Sequence, residues 1–101
     1  MARIAADRPV RELRNIGPVC EQELRSAGIL TAGDIRDLGV KETFLRLMAA
    51  RERSGKSTGC YNAAYLYALY GAVHDIDWRE IPEKKRNEFR KFTAELRADI
   101  A

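Results

Sequence analysis

The sequence predicts an all-α fold, a compact domain of five to six helices. Three observations lead there. Apolar residues recur at three- and four-residue spacing through most of the chain, and no stretch alternates in the manner of a strand. Only three prolines interrupt 101 residues. Gly28 and Gly39 stand just past helical patterns, where a residue with positive φ ends a helix. A chain of this length is one domain, residues 1–101, able to bury a core without metal or disulfide staples.

Met1 to Ala6 reads as a disordered tail. Asp7 is placed to cap a short helix with Pro9 near its first turn, which turns Val10 and Leu13 toward the core. The stretch from Leu13 to Gly39 then organises the rest. Gly17-Pro18 opens a helix, because proline at the first helical position has no N–H to leave unpaired. Cys20, Leu24 and Ala27 fall on one face, Gly28 ends the helix, and Ile29 is pinned in the connection. Thr31 is the N-cap of the next helix, with Asp34 as the acidic half of a capping box. Ile35 and Leu38 form its apolar side and Gly39 stops it.

A longer helix follows, about Lys41 to Arg53, with Val40, Phe44, Leu47 and Met48 at core spacing. Glu42, Arg46, Arg51 and Glu52 lie opposite, as a solvated face. Ser54 to Gly59 is a loop. Its Gly55-Lys56-Ser57 triplet imitates part of a phosphate-binding loop, but Ala50 stands where that motif needs glycine, and a helix precedes it instead of a strand. It reads as a polar link.

From Cys60 to His74 comes the most apolar helix. Tyr61, Ala64, Tyr65, Ala68, Leu69, Ala72 and Val73 make a broad buried face, widened by Leu66 and Tyr70. His74 closes it, where a helix C-terminus favours the imidazolium. Asp75 to Trp78 reads as a turn in which Asp77 is a cap and Trp78 inserts into the core. Pro82 restarts a helix running to about Arg97, with Phe89, Phe92 and Leu96 inward. Lys84, Lys85, Arg86, Arg90 and Lys91 load it with positive charge, partly offset by Glu83, Glu88 and Glu95.

The balance of 18 Lys+Arg against 15 Asp+Glu leaves +3, too even to mark a dedicated nucleic-acid binder by charge alone. Two cysteines without a CxxC spacing and one histidine give no zinc site. Cys20 and Cys60 read as small buried thiols of a reducing cytoplasm, a disulfide between them being the less favoured alternative. No run of about 18 apolar residues suggests a membrane span, and the N-terminus lacks the apolar core of a signal peptide. No nucleophile, base and oxyanion site can be assembled, which predicts a non-enzymatic chain with no cofactor and no small-molecule substrate.

Asn15-Ile16-Gly17-Pro18, Gly28-Ile29, Thr31 and Asp34-Ile35 through Leu38-Gly39 resemble the opening of the C-terminal domain of TfoX/Sxy competence regulators, a helix-hairpin-helix-like element. Leu66-Tyr67-Ala68-Leu69-Tyr70-Gly71-Ala72, with Trp78 after it, is similar to that domain's second signature. The likeness spans roughly Pro9 to Phe92. It implies an interaction module in transcription, acting beside another regulator such as the cAMP receptor protein. Family members pair this domain with an α+β N-terminal one, which the 101 residues do not include. By the helix-hairpin-helix likeness, the amides of Ile16, Gly17 and Val19 would meet a DNA phosphate, with Arg14 or Arg25 nearby. Asn15 stands where hairpin motifs prefer glycine, and its side chain is expected to crowd that approach. Such contact would be weak and blind to base sequence. The alternative is a pure protein adaptor, binding through the hairpin or through Lys84, Lys85 and Lys91.

Overall fold

Residues 4–56 and 62–100 are described by the computed structural model. Helix α1 spans Pro18–Ser26, α2 Ala32–Leu38, α3 Val40–Arg53, α4 Ala64–His74 and α5 Glu83–Ile100. Short 3-10 turns at Val10–Glu12 and Trp78–Glu80 complete the secondary structure. Among the described residues there is no strand, only one antiparallel bridge between Pro9 and Thr31. The fold is all-α.

The two-helix corner forms as its sequence dictates. Gly17 is the N-cap of α1 and Pro18 its first residue. Gly28 takes φ 82°, and Ile29, 1 % exposed, is sealed beneath the connection. The Thr31 hydroxyl accepts from the Asp34 amide at 3.2 Å while the Asp34 carboxylate accepts from the Thr31 amide at 3.1 Å. Both halves of the capping box are therefore made. Gly39 then serves two helices. Its amide donates to Ile35 O at 2.8 Å, ending α2, and its carbonyl accepts from Thr43 N at 3.0 Å, starting α3. A φ of 84° with ψ 157° allows this abrupt change of direction, and only glycine enters that region without strain.

Helix α3 packs against α1, α2 and α4, and α4 in turn against α2, α5 and the second 3-10 turn. Leu24, Ile35, Phe44, Leu47, Leu66 and Leu69 are sealed from solvent between them. Each such side chain contributes about 1.5–3 kcal/mol by leaving water. Aromatic rings dock α5: Phe89 lies 6.2 Å from Tyr67 and 5.9 Å from Tyr70, and Phe92 meets Phe44 edge-on at 6.3 Å.

Several expectations are corrected. Asp7 caps nothing: Pro9 holds the N-cap position of the first 3-10 turn and no side chain bonds there, though Val10 and Leu13 are buried as expected. Helix α4 begins at Ala64, where Asn62 Oδ1 accepts from the Ala64 amide at 2.8 Å. Ala64 itself is exposed, and the buried stripe runs through Leu66, Tyr67, Leu69 and Ala72. Tyr61 and Cys60 lie outside the described residues, as does the second half of the polar loop. Of the expected tail, residues 1–3 lie outside them too, while Ile4 is buried and Ala6 O accepts from Gly33 N at 2.7 Å. Trp78 is not in the core. It is 44 % exposed, and Ile81, 4 % exposed, fills the inward position of that turn instead.

Candidate interaction corner

Asn15 sits at φ 71°, a left-handed conformation that asparagine tolerates better than most residues. That twist aims its amide inward. Nδ2 donates to Ile76 O at 3.1 Å and to Ala68 O at 3.4 Å, while Oδ1 accepts from Trp78 N at 3.3 Å. One side chain thus ties the entry to α1 to the last turns of α4 and to the 3-10 turn after it. Gly71 makes room: a Cβ there would overlap the Asn15 amide and the Ile76 carbonyl. Asp75, at φ 56°, reverses the chain so that Ile76 N reaches Gly71 O at 3.0 Å.

Trp78 is fixed from its other side as well. Arg86 Nη2 donates to Trp78 O at 3.3 Å and to Arg79 O at 2.6 Å, and Nε donates to Ile81 O at 2.9 Å. The same guanidinium lies over the Tyr67 ring at 5.3 Å. The backbone of Trp78 is therefore held from two elements while the residue keeps 44 % of its surface exposed.

Ion pairs flank the Trp78 turn. Arg14 Nε meets Asp75 at 3.4 Å, and Arg79 Nε meets Asp77 at 3.0 Å. Hydrogen bonds from the Arg79 side chain, then from its amide, hold the Asp77 carboxyl down to about 2. Asp77 also caps its turn, accepting from Arg79 N at 2.8 Å. Arg14 and Arg79 are thus each matched by an aspartate, with Arg86 the further cation of the turn.

The structure gathers Arg14, Asn15, Ile16, Gly17 and Val19 at this corner. Arg25 lies in the last turn of α1 and pairs with Glu21 at 3.4 Å. The Ile16 amide donates to Leu13 O at 3.3 Å and so is already engaged. Gly17 supplies no side-chain cap, and space around its Cα is open. Val19 beside it is 61 % exposed. Asn15 does not crowd that approach, because its side chain points the other way.

On α5, Lys84 and Lys91 are exposed, whereas Lys85 donates to Glu88 at 3.2 Å. Arg86 is a brace for the Trp78 turn, a role the sequence reading missed by counting it only as surface charge. His74 also departs from expectation. Burial, then Lys85 and Arg36, lower its pKa and favour the neutral imidazole over the cation a helix end would prefer. No group of three His, Cys, Asp or Glu among the described residues is placed to hold a metal.

The sequence signatures and this helical arrangement meet in a single comparison: the profile of the TfoX C-terminal domain matches residues 6–93. The chain belongs to the TfoX C-terminal domain family. This TfoX C-terminal domain is also similar to two solved structures from Listeria monocytogenes. One is an uncharacterized protein in a triclinic crystal form, 41 % identical, with 87 % of this chain and 92 % of that one covered at a TM-score of 0.73. The other is a protein of unknown function in a tetragonal form, 42 % identical, with 85 % and 98 % covered at a TM-score of 0.70. No functionally curated protein matches the TfoX C-terminal domain described here.

Proposed function

We propose that this chain is a non-enzymatic interaction module of the TfoX type that binds a protein partner, another transcription regulator in the cytoplasm, through the corner built on Asn15 and Trp78. The fixed, exposed indole carries this reading. A tryptophan costs the free chain solvation of a large apolar ring, and interfaces use such pre-positioned aromatics as central contacts. Its neighbours, alternating Arg and Asp, suit the polar rim of a protein interface.

DNA-backbone contact is the second reading, and the inward turn of Asn15 favours it by leaving Gly17 and Val19 open. Against it stand the carboxylates of Asp75 and Asp77, which neutralise the cations a phosphate would need.

Two measurements separate the readings. With a photo-crosslinking amino acid at position 78 in cells, the protein reading expects a discrete adduct, absent when the same group is placed at Lys91. With a labelled duplex, it expects flat anisotropy to tens of micromolar protein at low salt. Salt-sensitive binding abolished by Gly17→Glu, without an adduct at position 78, would overturn it in favour of DNA.

A further inference from the structure

The C-terminal end of α4 that Asn15 braces has a second face, turned toward α3 and α5. There the last turn of α4, the first turn of α3 and the N-terminal half of α5 enclose an open cavity of about 350 Å³. Lys41, Tyr70, His74, Lys85, Glu88 and Phe89 line it. We propose that this cleft binds a small phosphate monoester, with Lys41 and Lys85 converging on the phosphate and the Tyr70 and Phe89 rings walling its substituent.

Several observations support this. Lys41 and Lys85, from different helices, close on the Glu88 carboxylate at 3.0 Å and 3.2 Å. Their ammonium groups are thus already spaced around one anionic group. Each ammonium has three donors and gives one to Glu88, so donors remain for a second anion. The second carboxylate at the cleft, Glu42, turns to Arg46 at 3.7 Å, which leaves Glu88 as the one carboxylate between the two lysines. The imidazole of His74 stands at the same cleft, where burial first, then Lys85 and Arg36, disfavours its proton. It lies 4.1 Å, ring to ring, from Tyr70, over whose ring the Lys85 ammonium sits at 5.8 Å. The volume is at the lower end of ligand sites and suits one phosphate with a small substituent. A dianion with three acceptor oxygens satisfies two ammonium groups better than a single carboxylate does.

The chain has one histidine, which gives a single set of imidazole signals. Titration with inorganic phosphate and with phenyl phosphate, at ionic strength held constant with sodium chloride, should move those signals saturably. Lys41→Gln and Lys85→Gln should each weaken binding about fivefold, the order of one partly exposed charge contact. Lys41→Arg should keep it. Glu88→Gln, which removes the competing internal anion, should tighten binding about fivefold. Phenyl phosphate binding as well as any phosphopeptide assigns a free small ester. A phosphoserine peptide binding at least about tenfold tighter assigns a phosphorylated chain with the same chemistry. Absence of a saturable shift by roughly 20 mM phosphate overturns the proposal. So does an equal shift with chloride, or weaker binding by Glu88→Gln in a variant that melts like the wild type.

Discussion

The Asn15 side chain occupies the space that a Cβ at residue 71 would fill, so asparagine at one position and glycine at the other form a matched pair. The pair locks the start of α1 to the end of α4. Gly71→Ala should cost about 2–3 kcal/mol, because the added methyl meets the Ile76 backbone carbonyl as well as a side chain that can shift. Asn15→Ala should lose about 2 kcal/mol or more through three broken hydrogen bonds and a left-handed φ that alanine resists. Asn15→Gly should lose less, since glycine accepts the backbone. Urea denaturation of the three variants checks the order. Equal losses for Ala and Gly at residue 15 would show that the backbone twist is irrelevant.

A second expectation concerns acid. Asp34 is held below the ordinary carboxylate range by hydrogen bonds, the amide of Leu30 first, with the Thr31 amide and hydroxyl also contributing. A carboxylate with a depressed folded pKa adds stability that is complete above its unfolded value, near about 4. That stability fades as pH falls through the lower folded value. Thr31→Ala should remove about 1 kcal/mol at neutral pH. Asp34→Asn should make stability fall less steeply below about pH 4 than in the wild type. Thermal melts across that range give the comparison, and an unchanged slope in Asp34→Asn would remove the capping box from the account.

Glu23 offers a third test. It is buried on α1 and paired with Arg51 of α3, with the Lys56 ammonium 4.0 Å away. Glu23→Gln should cost about 3 kcal/mol, since it removes a buried carboxylate from its contact with a mostly enclosed guanidinium. Lys56→Gln, at a longer and more exposed contact, should cost under about 1 kcal/mol. Chemical denaturation of both variants would contradict this ranking if Lys56 proved the costlier loss.

Cys20 supplies a fourth. Burial, then the nearby Glu23 carboxylate, pushes its thiol up to about 11, so at pH 8 it is protonated and shielded. In a Cys60→Ser background, a thiol-reactive dye should leave Cys20 unlabelled until denaturant is added. Rapid labelling of the native protein would show that α1 does not cover it.

The elements that were legible in the sequence are those whose signal is local. Gly17-Pro18, Gly28, Thr31 with Asp34, and Gly39 each act within one turn of the chain, and the α1–α2 corner formed around them. Helix α3 was readable for the same reason, its Phe44, Leu47 and Met48 being regularly spaced. Trp78 was misread because its place depends on partners 63 and 8 residues away, Asn15 and Arg86. Apolarity alone sends an indole inward, and no local pattern shows that Ile81 fills the space instead. Asn15 was read as an obstacle to ligand approach, since its inward bonds are to carbonyls far along the chain. A positively charged run likewise concealed that Arg86 braces a turn while Lys85 faces a cleft. The helical corner was therefore legible from sequence, but the exposed place of Trp78 beside it was not.

The central claim is that Trp78 is displayed on the surface by a backbone fixed from Asn15 and Arg86. Measuring the unfolding free energy of Trp78→Ala tests it most directly. The account predicts a loss under about 1 kcal/mol, as for a residue whose ring is not part of the core. A loss of about 3 kcal/mol or more, the cost of emptying a buried tryptophan site, would contradict it.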